Sequence, residues 1–360
     1  MRVTRNCPWN KCEFCPVYKG AKFSKRSVEE VKEDIRAMAW WTEKAVGESC
    51  TLGYGGKLDE RSIPAVYSRY QGISYMHSIL VWMTGGGKTS FLQDADNLIL
   101  KTEDLTEILL TLRETFPQLE RVTTYSRSRT VAKKSAEELK TIHEAGLNRV
   151  HIGMESGSDK VLEKVKKGVT QKQHIEAGKM VREAGMELSE YIMPGLGGKE
   201  LSDEHARETA KALSAINPHF IRIRSLGIRE GIILYDRYRE GEFEPMNDIE
   251  NAHELRKTIE HLDGIDSRIV SDHILNLLPE VEGKLPGDKE RILAVIDRFL
   301  NLPEEDRLTY VVGRRFGLFE GIRDLADPSR SAAARQALDK LREEGDDVHT
   351  TIRETVSRFI

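Results

Sequence analysis

No stretch of this sequence is apolar for long enough to span a bilayer. The longest nearly apolar run, Ile73 to Met83, is interrupted by Ser74, His77 and Ser78 and stops well short of the roughly 20 residues that a membrane helix needs. An apolar leader is lacking too: Met1 runs into Arg2 and Arg5 with a cysteine at position 7, which is not the pattern of a secretory signal. The expectation is a cytoplasmic, reducing location with no membrane partner. An excess of one charge is also missing. With 32% charged residues and a formal net charge of −4 over 360 residues, the chain offers no broad positive field for a polyphosphate backbone, so nucleic acid is not an expected partner. Cysteine is scarce. Of the four, Cys7, Cys12, Cys15 and Cys50, the first three fall in one short segment, and in a reducing compartment clustered cysteines serve metals more often than disulfides.

What the sequence does contain is a regular alternation of β-branched runs and amphipathic helical segments. Strands are expected at Arg2 to Arg5, Thr89 to Gln93, Glu120 to Tyr125, Asn148 to Gly153, Met186 to Met193 and Phe220 to Ser225, with helices between them at βαβ spacing. Ser27 with Glu30, and Ser135 with Glu138, are capping boxes opening helices, and Gly146 and Gly185 stand where helix C-caps favour glycine. Cys50 to Gly56 reads as a glycine-rich loop and Ser62 to Met83 as an inserted helix. Six strands are too few to close an eight-stranded barrel. The fold class is therefore α/β, a partial (β/α)6 TIM-like barrel over residues 1–240. A helical C-terminal domain is expected over 241–360, with helices near Ile249 to Leu262, Lys289 to Leu300 and Ala333 to Glu344, and the segment SRIVSDHILNLL reads as a further helix.

The segment CPWNKCEFC comes directly after the first expected strand, at the carboxyl end where α/β folds place their sites. Three thiolates fit three corners of a [4Fe-4S] cluster and leave the fourth iron open. The residues alone leave other readings: a zinc site completed by a histidine, or a four-cysteine electron-transfer or redox-sensing cluster that recruits Cys50. The run GGGKT at 85–89 is not a phosphate-binding loop, because Trp82 replaces the upstream glycine and the segment leads into a strand.

With Phe14 before the last cysteine, the triplet resembles the CxxxCxΦC hallmark of the radical S-adenosylmethionine (SAM) superfamily, with four residues in place of three in the first gap. The resemblance covers roughly residues 1–240, and the ESGSDKVL and GLGG segments look most like the Elongator-like and oxygen-independent coproporphyrinogen oxidase-like group. It implies an enzyme in which Cys7, Cys12 and Cys15 hold a [4Fe-4S] cluster that cleaves SAM to a 5'-deoxyadenosyl radical, with a small-molecule substrate and a flavodoxin- or ferredoxin-type electron donor. It also implies SAM-facing positions after each strand: Gln93, Asp94 and Asp96; Tyr125 and Arg127; Glu155 and Ser156; Lys167, with Lys166 as the alternative; and Ile192, Met193 and Gly195. Taken singly, Glu155 and Asp96 also read as helix caps, and the glycines as turn residues.

Substrate contacts are expected from Arg222 and Arg224 after the sixth strand and from Asp272, His273, Asn276, Arg314 and Arg315. Guanidinium groups converging on a cavity would favour an anionic substrate, whereas helix salt bridges are the plainer reading of each.

Overall fold

The first long helix is set by its cap: the Ser27 hydroxyl accepts the Glu30 N–H at 3.2 Å while the Glu30 carboxylate accepts the Ser27 N–H at 2.9 Å. The reciprocal pair satisfies two helix-end donors, and Ser135 and Glu138 repeat it. The structure, a computed structural model, describes residues 1–73, 75–345 and 347–357. It divides into two units: Met1–Pro8, Lys22–His151 and Glu183–Met186 form one, and Trp9–Ala21, Ile152–Arg182 and Glu187–Ile360 the other.

In the first unit β1 (Thr4–Arg5) pairs antiparallel with β2 (Ser24–Lys25), and Arg2 makes only a single parallel bridge, to Gln93. The expected first strand is thus shorter at its start, where Arg2 and Val3 lie outside β1, and Asn6 at φ +67° turns the chain away just after it. α1 (Val28–Thr51) runs on through Cys50, which lies exposed on its last turn rather than in a loop. In place of one inserted helix stand α2 (Ile63–Arg69) and α3 (Met76–Thr84), separated by a turn at Gly72, φ +93°; Ser74 lies outside the described residues. β3 (Thr89–Leu92), α4 (Thr102–Thr115), β4 (Arg121–Ser126), the short α5 (Ser128–Val131), α6 (Ala136–Glu144) and the start of β5 (Arg149–Glu155) complete the βαβ rhythm. β3 and β4 are parallel, with Leu92 opposite Thr124. Leu92 and Val122 are fully buried, as are Leu105, Ile108 and Leu109 on the apolar stripe of α4, the burial that chiefly stabilises such layers.

The second unit continues with α7 (Asp159–Lys164), α8 (Gln171–Glu183), β6 (Glu187–Ile192), α9 (Gly198–Ile216), β7 (Phe220–Ile223), α10 (Ile233–Arg239) and α11 (Asp248–Glu260). Then come β8 (Arg268–Val270), β9 (Gly283–Lys284), α12 (Lys289–Leu300), α13 (Glu304–Arg315), α14 (Pro328–Glu343) and α15 (Val348–Ser357). β6, β7 and β8 are mutually parallel, and β9 closes antiparallel on β8. The α/β class with parallel pairing is as expected from the sequence. Two features beyond residue 240 differ.

The region expected to be wholly helical contributes β8 and β9, and the unit carries residues on both sides of the expected 240/241 boundary. SRIVSDHILNLL is likewise not a helix. Its β-branched Ile269 and Val270 extend as β8, with Ile269 buried. Asn276 then pins the chain beyond the strand: its amide donates to Ile223 O at 3.1 Å and Ser271 Oγ at 3.0 Å while its carbonyl accepts from Ser225. A side chain that satisfies backbone groups in this way competes with helix formation.

Candidate cofactor site

The cysteine segment is half-buried at all three thiols. Cys7 belongs to the first unit, where the neighbouring Asn6 N–H donates to Asp94 Oδ2 at 3.1 Å and Asn6 Nδ2 donates to Lys22 O at 2.7 Å. Cys12 and Cys15 belong to the second unit, and the Cys15 N–H closes a turn onto Cys12 O at 3.3 Å. Phe14 is buried with Val161, Val165, Leu196, Ile228, Ile232, Leu234 and Phe243, a core against which Cys12, Cys15 and Met193 pack. A left-handed Asn10, φ +47°, holds the bend and donates to Tyr18 O.

Four consecutive residues template this segment. Val165 O accepts the Glu13 N–H at 3.0 Å, Lys166 O accepts the Trp9 indole N–H at 2.8 Å, and the Lys167 ammonium sits 5.6 Å from the Phe14 ring centroid. Gly168, at φ +70°, lies so close under Trp9 that a Cβ would stand 2.3 Å from its ring. Among the described residues no three His, Cys, Asp or Glu side chains converge on a single-ion position. The fit to an iron-sulfur cluster therefore rests on the donor set, three soft sulfur ligands on one braced segment, which is the ligand chemistry such clusters take.

Of the candidates in the first unit, Gln93 is exposed and Asp94 is buried beside the Arg2 guanidinium at 3.7 Å. Asp96 is fully buried and builds the fold: Oδ1 accepts Ser126 Oγ at 2.8 Å and the Arg127 N–H at 3.2 Å, and Oδ2 accepts Thr130 Oγ1. It makes no helix-cap bond. Burial pushes its carboxyl above the usual range, against the opposing pull of Thr130 and Ser126. Tyr125 packs on Phe91 at 4.9 Å and on His151 at 5.5 Å between ring centroids.

In the second unit, Glu155 stands in the left-handed region at φ +63°, a strained position for a non-glycine residue. Its carboxylate pairs with Lys167 at 3.0 Å, and Ser158 takes over as the cap of α7. Lys167 is therefore already engaged by an acidic partner of the chain. Glu190, which no sequence motif marks, is fully buried with neither carboxyl oxygen hydrogen-bonded. Burial, and then the charge of Glu155, push it well above the usual carboxylate range while Lys167 pulls the other way.

Ser156 and the 193–195 turn are joined by His205. Its Nδ1 is 2.8 Å from Ser156 Oγ and its Nε2 is 3.1 Å from Met193 O. A carbonyl only accepts, so Nε2 carries a proton toward Met193 O. Glu254 on α11 accepts the Gly195 N–H at 2.7 Å and lies 3.6 Å from His205. Gly195, at φ +86°, leaves no room for a side chain beside Asn251, and Ile192 is buried at the end of β6. His205 and Glu254 lie far along the sequence on helices, where spacing gave no signal.

The expected substrate residues separate into two groups. Arg224, its guanidinium 4.6 Å from the Tyr191 ring centroid, and Arg222 both bind Asp272. Burial opposes ionisation of Asp272, but Arg224 and Arg222 hold it below the usual range. His273 is pushed down by burial and by Arg224, which favours the neutral ring. Arg314 and Arg315, by contrast, serve the fold: Arg314 donates to Leu277, Phe319 and Asn276 carbonyls, and Arg315 binds Asp248 and the Leu275 carbonyl. Asn276 is likewise committed to backbone groups.

Among the described residues no helix is long and apolar enough to cross a membrane. The model of the radical SAM superfamily matches residues 1–213, and the chain belongs to that superfamily; it is an enzyme, and membership implies SAM and a [4Fe-4S] cluster as cofactors. The tRNA uridine(34) acetyltransferase of Methanocaldococcus jannaschii is 25% identical over 115 residues, 32% of this chain and 21% of that protein. The heme chaperone HemW of Bacillus subtilis is 35% identical over 109 residues, 30% of this chain and 28% of that protein. The chain thus spans less than a third of either curated relative. The structure of coproporphyrinogen III oxidase (HemN) from Escherichia coli superposes with a TM-score of 0.44 at 15% identity, over 70% of this chain and 49% of that one.

Proposed function

We propose that Cys7, Cys12 and Cys15 hold the [4Fe-4S] cluster, that the carboxyl ends of the strands hold SAM, and that the chain acts on a small anionic substrate. The observation that carries this reading is the braced cysteine segment, three thiols with a buried Phe14 between the last two, inside the superfamily match. When bound, the reduced cluster and SAM supply a 5'-deoxyadenosyl radical that abstracts hydrogen from the substrate; a flavodoxin- or ferredoxin-type protein is the proposed electron donor.

The chain's own part is positioning and electrostatics. Glu155 and Lys167 form an ion pair beside the buried Glu190, whose raised pKa favours the protonated form, a hydrogen-bond donor. His205 and Glu254 fix the two turns that carry Ser156 and Gly195. Arg222 and Arg224 outnumber Asp272, so the cluster of side chains keeps a positive excess for an anion. Anaerobic reconstitution tests the reading: iron and sulfide should approach four per chain in the wild type and fall sharply in Cys7→Ala, Cys12→Ala and Cys15→Ala, while Cys50→Ala keeps them. Loading that survives all three single substitutions would overturn it.

A further inference from the structure

Glu13 lies between two of the three cysteines, and it is 2% exposed. A carboxylate so placed would be costly both for its own burial and for its charge beside an anionic thiolate cluster. The structure answers with two cations. Lys166 Nζ is 2.8 Å from Glu13 Oε1, and Arg237 Nη1 is 2.8 Å from Oε2. The same Arg237 nitrogen donates to Lys164 O at 2.8 Å, so the guanidinium ties α10 to the end of α7 and to Glu13 at once. The main chain of Glu13 is fixed as well, its N–H on Val165 O and its carbonyl accepting the Leu234 N–H at 3.1 Å. Lys166 grips the segment at two points, its ammonium on Glu13 and its carbonyl on Trp9, and it does so from a left-handed backbone at φ +53°. Every polar group of Glu13 is thus committed, and the commitments converge from two helices on the residue that separates Cys12 from Phe14 and Cys15.

We propose that Glu13 is a positioning residue whose ion pairs with Lys166 and Arg237 clamp Cys12 and Cys15 in the geometry that retains the cluster. The proposal rests on the reading of those cysteines as cluster ligands. Its logic is that of an outer shell that orients ligands without touching the metal: the thiols approach a fixed spacing only if the backbone carrying them is held. Arg237 suits the role, because its side chain is 22% exposed and half-desolvated guanidinium-carboxylate bonds are stronger than surface pairs, whereas Lys166, at 62%, adds less.

Two measurements decide it. The first is the rate of iron release to a chelator from anaerobically reconstituted protein. Glu13→Gln, which keeps size and backbone bonds, and Arg237→Gln should each speed release about tenfold, the weight of one charge-assisted hydrogen bond. The double variant should fall well short of the product of the two single effects, since the two share the Glu13–Arg237 pair. The second needs no cluster: in iron-free protein, Glu13→Gln should raise maleimide alkylation of Cys12 and Cys15, resolved by mass spectrometry, and leave exposed Cys50 unchanged. Wild-type release rates in both single variants, multiplicative effects in the double variant, or unaltered alkylation of Cys12 and Cys15 would each overturn the clamp. A wild-type chain that takes up no cluster would overturn the ligand reading instead, and the alkylation rates would still decide the clamp.

Discussion

Glu190 and Glu155 are interacting carboxyl groups that divide into one with a cation partner and one with no hydrogen bond. Glu155 pairs with Lys167 at 3.0 Å, and Glu190, enclosed and without a hydrogen-bond partner, is pushed well above the usual carboxylate range by burial first and by the Glu155 charge second.

This division makes stability depend on pH. Because the folded-state pKa of Glu190 is raised above its ordinary value of 4.5, the folded chain binds more protons than the unfolded one over that window, and stability falls as pH rises from 4.5 through the folded pKa, at up to about 1.4 kcal/mol per pH unit. Glu190→Gln removes this penalty. Thermal unfolding of the cofactor-free protein should show the variant gaining on the wild type between pH 5 and pH 8, with the gain levelling once Glu190 would ionise in the fold. A pH-independent difference would contradict the assignment.

His205 is the post between two turns proposed to face SAM. His205→Ala removes one partner each from the Ser156 hydroxyl, which keeps the Ser158 N–H, and from the Met193 carbonyl, which keeps the Leu196 N–H, and should cost about 2–4 kcal/mol in chemical unfolding, cavity included. SAM affinity, measured by titration calorimetry on reconstituted protein, should fall by about tenfold as well, the scale of effect that loss of an orienting partner has on a bound group. Unfolding loss with unchanged SAM affinity would make His205 a residue of the fold alone.

Asp272 neutralises part of the Arg222 and Arg224 pair. In Asp272→Asn both guanidiniums lose their counter-charge while their side chains remain largely covered. The expected cost is about 1–3 kcal/mol, and sulfate or phosphate at millimolar concentration should restore more of it than chloride at equal ionic strength. Equal restoration by chloride would mean screening alone, with no anion-accepting pocket.

The sequence carried the features set by local rules. Capping boxes at Ser27 and Ser135, the βαβ rhythm and the cysteine segment were all legible, because each depends on residues within a turn or a repeat of one another. SRIVSDHILNLL was misread since its apolar spacing suits a helix, while strand pairing to β7 and the bonds of Asn276 decide otherwise, and neither is local. Arg314 and Arg315 illustrate the same limit: a cationic pair reads the same whether it meets a ligand or, as here, backbone carbonyls and Asp248. Glu13 acts through Arg237, 224 residues away, and His205 and Glu254 act through partners 49 and 59 residues away, so no motif window contained them.

The most direct test of the account is the yield of 5'-deoxyadenosine when the anaerobically reconstituted, dithionite-reduced chain is incubated with SAM. The account predicts 5'-deoxyadenosine and methionine from the wild type and from Cys50→Ala, and neither above background from Cys12→Ala. A fully loaded cluster with no cleavage of SAM in the wild type would contradict it and leave an electron-transfer centre in its place.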